Sequence, residues 1–161
     1  MGFPIDYRFK VTVGDSFRDP GCRDRFFRLV TNRLKEELAR GLSLEGTRLS
    51  FKSSFLMGNF WFRTGRIELH TEESPMTVEC VLSFRRLSVL FLLICDALVI
   101  TSALLPETIP PRDAAITLVF FVFISAIGVV ACVRQFKEMI QTQIATLNSD
   151  AGRSALHHSP I

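Results

Sequence analysis

Asp96 is the residue whose position most clearly suggests chemistry, because it is the one charge within an otherwise apolar stretch, residues 87–105. A charged carboxylate at the centre of a membrane helix costs about 2.5–3.5 kcal/mol on insertion scales, and such residues are commonly functional. We expect Asp96 to contact a partner laterally, to serve as an ion or proton site, or to donate one hydrogen bond while protonated. Hydroxyl groups at comparable positions belong to Thr101, Ser102, Thr117 and Ser125.

Small side chains in the apolar stretches suggest close packing between helices. Gly128 and Cys132 are four residues apart, and Ala97 lies four residues before Thr101. Small residues at this spacing let two helix backbones approach each other. We interpret Ala97, Gly128 and Cys132 as packing positions between two helices of the chain, with a dedicated oligomer interface as the alternative.

Glu68, His70 and Glu72 alternate along one segment, so on a strand they share a face. One imidazole and two carboxylates are a possible metal set or a candidate catalytic group. The intervening Ile67 and Leu69 indicate instead that this polar face simply meets water, so we predict no metal site. We expect no cofactor and no catalytic residue, and Cys80 has the parity of a core residue.

Helices or strands must position these residues, and two of the predicted helices are apolar. A second uncharged stretch, residues 114–133, follows the first after a proline-containing link. About 20 apolar residues suffice to cross the hydrocarbon layer, so we predict a two-helix transmembrane hairpin with helices at about 87–105 and 114–133. Prolines in the link prevent one continuous helix. The hairpin with its flanks covers residues 85–133.

Basic residues at the ends of these stretches predict the orientation. The flanking residues Arg85, Arg86, Arg134 and Lys137 are basic, whereas the link contains Arg112 beside Asp113. Because positive residues concentrate on the cytoplasmic side, both termini are predicted to be cytoplasmic in a multi-pass protein of the plasma or inner membrane. Trp61 lies beside the possible hairpin turn Gly58-Asn59 and is a further candidate for the membrane interface.

Residues 1–84 predict a cytoplasmic α+β domain with the order β-α-β-β-β, in which one helix packs on a mostly antiparallel sheet. Strict alternation over residues 5–13 indicates the first strand. Asp19-Pro20 predicts a helix start, and Gly41 fits the C-cap of a helix ending near Arg40. Further alternation predicts three more strands, with a bulge at a left-handed Gly65.

Beyond residue 133 the apolar residues Phe136, Ile140, Ile144 and Leu147 recur at helical spacing. They predict a cytoplasmic amphipathic helix over 134–148, whose apolar stripe must be covered by the domain, by another copy or by a partner. Residues 149–161 are expected to form a disordered tail. Basic residues of the first helix, among them Arg23, are expected to face solvent, with headgroup contact as the alternative.

Composition and charge limit the classes of function that the chain can have, but they do not identify one. The net charge of +3 is too small to indicate a nucleic-acid partner, and the four cysteines form no closely spaced pair. We expect a non-enzymatic accessory, scaffold or regulatory subunit of a larger membrane assembly. Its partners would be the lipid bilayer and other membrane subunits or its own copies. Two alternatives stay open: an oligomeric proton- or ion-coupled transport component using Asp96, and a membrane-proximal enzyme acting on a lipid.

Overall fold

The computed structural model describes residues 6–37, 39–53, 64–104, 107 and 110–157, with the backbone alone at 53, 85–88, 90–91 and 150–157. Five strands form one antiparallel sheet in the order β1-β5-β4-β3-β2. In chain order, the strands and α-helices are β1 Asp6–Thr12, α1 Pro20–Glu36, β2 Ala39–Glu45, β3 Arg48–Ser53, β4 Thr64–His70, β5 Thr77–Ser83, α2 Arg85–Leu104 and α3 Pro111–His157.

The first helix begins where the sequence predicts and ends earlier. The Asp19 carboxylate accepts a hydrogen bond from the Cys22 N–H at 3.0 Å, and Pro20 occupies the first turn, where no N–H is needed. The helix ends at Glu36, not near Arg40, and Gly41 is no C-cap. Gly41 instead lies in β2 with φ +57°, where the β2–β3 register shifts between Arg40 and Ser43.

The strand β2 makes the predicted order β-α-β-β-β wrong, because the sheet has a fifth strand between α1 and β3. Gly65 was also expected in a left-handed bulge, but it lies in regular pairing with Phe51 and Leu82. Only Gly41 and Gly46 have positive φ among the glycines of the described ranges. The predicted Gly58-Asn59 turn and Trp61 lie outside the described residues.

One face of the sheet carries the core. Residues alternate between buried and partly exposed along β4 and β5, and the buried set includes Ile67, Leu69, Val78, Cys80 and Leu82. Two helices cover this face, because α1 and α3 both contribute fully buried side chains to the same cluster. The prediction of a single helix on the sheet is therefore wrong, and the second helix is the later half of α3.

The helix α3 runs along the strands from one end of the sheet to the other. Near its middle, the Phe136 ring lies against Phe9 and Phe51. Near its later part, Asn148 Oδ1 accepts a hydrogen bond from the Ser16 hydroxyl at 2.8 Å, just beyond the end of β1. The other end of the sheet, where β5 leads into α2, is called the proximal end below.

The prediction of a two-helix transmembrane hairpin is wrong. Within the described part of the chain, one helix is long and apolar enough to cross a membrane, over Pro111–Ser149. Among the described residues of α2, the apolar segment is the shorter Leu92–Leu104. The helix α3 also continues past Ser149 to His157, through residues where the sequence predicts a tail.

Candidate functional site

The most unusual surface of the protein is the exposed apolar half of α3, residues 114–131, here called the apolar rod. Phe123 is 64 % exposed in the rod, whereas Phe136 on the same helix is fully buried. A groove along the rod is lined by Ala115, Ile116, Val119, Phe120 and Phe123. An apolar surface of this extent is rare on soluble monomers and marks a membrane or protein interaction site.

Exposed apolar residues are concentrated on two helices. Six of the large exposed side chains lie on α2 and eight on the rod, against two elsewhere in the described part of the chain. The two helices contact each other. The exposed residues of α2 and the rod are Val89, Leu92, Leu93, Val99, Ile100, Leu104, Ile116, Val119, Phe120, Val122, Phe123, Ile124, Ile127 and Val130.

The less exposed residues of the rod recur at alternating spacings of four and three, and so lie along one side of the helix. They are Ala114, Leu118, Phe121, Ser125 and Gly128, and the buried Cys132 continues the series. Val129, beside Gly128, is also less exposed and packs against the core. This geometry places Ser125, Gly128 and Cys132 on the sheltered side of α3. Ala97, the third predicted packing residue, is exposed on α2. Thr117, which is expected at a depth in the membrane close to that of Asp96, is exposed on the rod.

Asp96 lies on the outer side of α2. The less exposed residues of that helix, Ile94, Cys95, Leu98 and Thr101, together with the buried Ser102, lie on another side. On the side of Asp96, the residues one turn away are the exposed Leu92, Val99 and Ile100. The carboxylate therefore lies in an apolar surrounding and has no hydrogen-bond or ion-pair partner among the residues that the structure describes.

Among the described residues, no hydrogen bond joins Asp96 to the hydroxyl groups predicted at comparable depths. Thr101 Oγ1 donates to the Ala97 carbonyl of its own helix at 2.7 Å, which satisfies the hydroxyl locally. Ser102 is buried, and Ser125 lies on the sheltered side of α3. The hydrogen bond that a protonated Asp96 is expected to donate within the chain stays a prediction.

The rod is anchored in the sheet domain by the later half of α3. Phe136, Ile140, Ile144 and Leu147 are buried in the core, so the stripe predicted on this segment is covered by the domain itself. Burying a side chain of this size stabilises by about 1.5–3 kcal/mol. The same helix is thus a core element over one half and an exposed apolar surface over the other.

Charged residues resume where the rod ends. Arg134 Nε forms an ion pair with Glu138 Oε1 at 2.9 Å, and the bonded carboxylate raises the pKa of Arg134. Lys137 is exposed in the next turn. Arg85 and Arg86 open α2, at the proximal end of the sheet. These four residues, which are predicted to lie at a membrane interface, therefore flank the apolar surface: Arg85 and Arg86 precede it, and Arg134 and Lys137 follow it. The fifth predicted interface residue, Trp61, lies outside the described residues.

The polar residues Glu68, His70 and Glu72 do not converge. The Glu68 carboxylate lies between Arg48 and Arg66, at 3.9 and 3.6 Å, and His70 Nε2 lies 3.2 Å from Glu79 Oε2. Glu72 is exposed in the following turn. Among the described residues, no group of three or more histidine, cysteine or acidic side chains is arranged to hold a metal ion.

Cys80 is buried between β1 and β4 in the core face of the sheet. Burial raises the pKa of its thiol to about 12, with a smaller contribution from the nearby Glu79. A thiol held neutral and out of solvent is a poor nucleophile. Its environment is that of a small apolar core residue.

The sequence predicts the change along α3 from apolar residues on all sides before residue 131 to a single apolar stripe after it. The sequence left three covers open for that stripe, and the structure shows that the sheet domain covers it. Comparisons with protein-family models, with curated proteins and with solved structures find no match to this chain.

Proposed function

We propose that this protein is a membrane-bound accessory, scaffold or regulatory subunit without catalytic activity of its own. The observation that carries this proposal is the apolar rod, an exposed helical surface continuous with a helix rooted in a folded core. Burial in lipid removes this surface from water, at roughly 25 cal/mol for each Å² covered. The rod forms the lipid-facing surface.

The folded domain lies on the cytoplasmic side of a plasma or inner membrane in this proposal. Arg134 and Lys137 follow the rod directly, and basic residues close to a membrane segment favour the cytoplasmic side. The sheet packs on the part of α3 that begins at Cys132. The domain and the later half of α3 therefore lie on the same side.

Asp96 supports a role in assembly. A carboxylate on the outward side of α2, among exposed apolar residues, has water or lipid as its surroundings in a single copy. A basic or hydrogen-bonding group on a neighbouring membrane helix would satisfy it, since polar contacts between such helices contribute about 0.6–2 kcal/mol. The partner is another membrane subunit or a second copy of this chain.

Extraction of membranes that contain the full chain tests the location. We expect the protein to stay in the membrane pellet at pH 11 in carbonate and to be released by mild detergent. Recovery in the supernatant without detergent would refute the proposal.

A photocrosslinking residue at position 96 tests the assembly role, with one at Leu98 on the more sheltered side of α2 as the matched control. We expect intermolecular products from position 96 and few from position 98. Asp96→Asn should weaken the association, whereas Asp96→Glu should retain it. A protein that stays monodisperse and uncrosslinked, with Asp96→Asn unchanged, would refute the role of Asp96.

A further inference from the structure

We propose that the proximal end of the polar sheet face binds the headgroups of anionic phospholipids, through a basic row formed by Arg8, Arg40 and Lys52. This inference rests on the proposed membrane location. It adds a lipid-recognition surface on the folded domain, separate from the apolar rod. The three residues are far apart in the sequence, and the strand register places all of them on the polar face near the proximal end. Arg40 and Lys52 are direct partners on β2 and β3, whereas Arg8 lies on β1 at the opposite edge of the sheet.

The position of the row follows from the ends of the strands. Arg40 is the second residue of β2, and Lys52 lies one residue before the end of β3. Arg8 is the third residue of β1, whose first residue pairs with Ser83 at the end of β5. The next residues of the chain lead into α2 with Arg85 and Arg86. The row therefore lies at the proximal end, from which the apolar surface extends.

The charges on the polar face are segregated along the strand direction. At the opposite end of the sheet, here called the distal end, Lys10 Nζ lies 3.1 Å from Glu73 Oε1, and Arg48 Nε lies 3.9 Å from Glu68 Oε2. The same Glu68 oxygen lies 3.6 Å from Arg66 Nε in the middle of the face. At the proximal end, Arg8, Arg40 and Lys52 are exposed, and none has an ion-pair partner within the described ranges. Asp6 is the acidic residue at that end of β1.

The pair Arg40 and Lys52 is the strongest indication that this end of the sheet binds an anion. The two residues are direct cross-strand partners in the β2–β3 ladder. Like charges directly opposite each other on one sheet face are destabilising. An anionic group between them would remove that repulsion. A phospholipid headgroup is the anion that the proximal position favours, because each basic residue near an anionic membrane surface strengthens binding by about five-fold.

The test uses the full chain purified in mild detergent and mixed with equal amounts of phosphatidylglycerol and phosphatidylcholine. Native mass spectrometry then counts the lipids of each kind that the protein retains. The test variant combines Arg8→Gln, Arg40→Gln and Lys52→Gln. The matched control combines Lys10→Gln and Arg48→Gln, which neutralises basic residues of the same face at its distal end.

We expect the wild type and the control to prefer phosphatidylglycerol, and the test variant to lose at least about five-fold of that preference. An unchanged preference in the test variant, or an equal loss in the control, would overturn the inference. If circular dichroism shows that the triple variant does not fold, the single variants Lys52→Gln and Lys52→Arg are compared instead. Lys52→Arg should retain the lipid preference, and an equal loss in both single variants would contradict the inference. Resistance to carbonate extraction, measured in parallel, shows whether the membrane location itself has failed.

Discussion

The Phe51 ring on β3 stacks on the Phe136 ring on α3, with centroids 5.8 Å apart and planes inclined by 24°. Phe51 also lies over Gly65 of the neighbouring strand, its cross-strand partner. A Cβ built on Gly65 would stand 2.6 Å from Phe51 Cε2, which is an overlap. The glycine thus provides the space in which the aromatic pair forms. This pair anchors α3 to the sheet just beyond the end of the apolar rod.

Gly65→Ala should destabilise the domain by about 1–3 kcal/mol, because the added methyl group forces the Phe51 ring out of its position. The measurement is urea unfolding of the detergent-solubilised protein, followed by circular dichroism. The double variant Gly65→Ala/Phe51→Leu should lose less than the sum of the two single variants, since the smaller side chain relieves the overlap. Strictly additive losses would show that Phe51 is not the residue that Gly65 accommodates.

Phe136→Ala should lower the free energy of unfolding by about 3–5 kcal/mol, because it leaves a cavity beneath the sheet. Phe123→Ala removes the same side chain from the same helix at a position that is 64 % exposed. In detergent, this control should change the stability by less than about 0.5 kcal/mol. Comparable losses from the two variants would contradict the division of α3 into a buried and an exposed half.

The sequence predicts most strands and the packing stripe of α3, because both depend on local periodicity. It does not predict β2, whose apolar residues Leu42 and Leu44 are incompletely buried at the edge of the sheet and give a weak alternation. Gly41 has the positive φ that a C-cap glycine would have, but the chain uses that conformation in an irregular strand. Composition alone does not distinguish the two uses.

Only part of the candidate site can be predicted from the sequence, because some of its features depend on local composition and others on tertiary packing. A run of apolar residues is visible in the sequence, so the rod and Asp96 are found without the structure. The orientation of Asp96 away from the sheltered side of α2 depends on which residues of that helix are covered. The basic row depends on the strand register across the whole sheet, from β1 at one edge to β2 at the other, which residues distant in the chain determine together.

Cys80 should resist alkylation by iodoacetamide at pH 8 in the folded protein and react after unfolding, as measured by mass spectrometry. Folding favours its neutral thiol, since burial raises the pKa from 9.0 to about 12. Its contribution to stability is therefore fully present below about pH 9 and declines as the pH rises toward 12. Accordingly, wild-type stability should fall more steeply between pH 9 and 11 than that of Cys80→Ala. Rapid labelling of folded Cys80 would contradict its buried position.

Val119→Lys should release part of the protein from membranes during carbonate extraction, because a charge at the centre of an inserted helix costs about 2.5–3.5 kcal/mol. Val119 is 66 % exposed on the rod, so the substitution creates no clash in the folded chain. Gln141→Lys places the same charge at an exposed position on the domain-packed half of α3 and should leave extraction unchanged. If the two variants extract alike while both remain folded, the rod does not lie in lipid, and its apolar surface must be covered by protein.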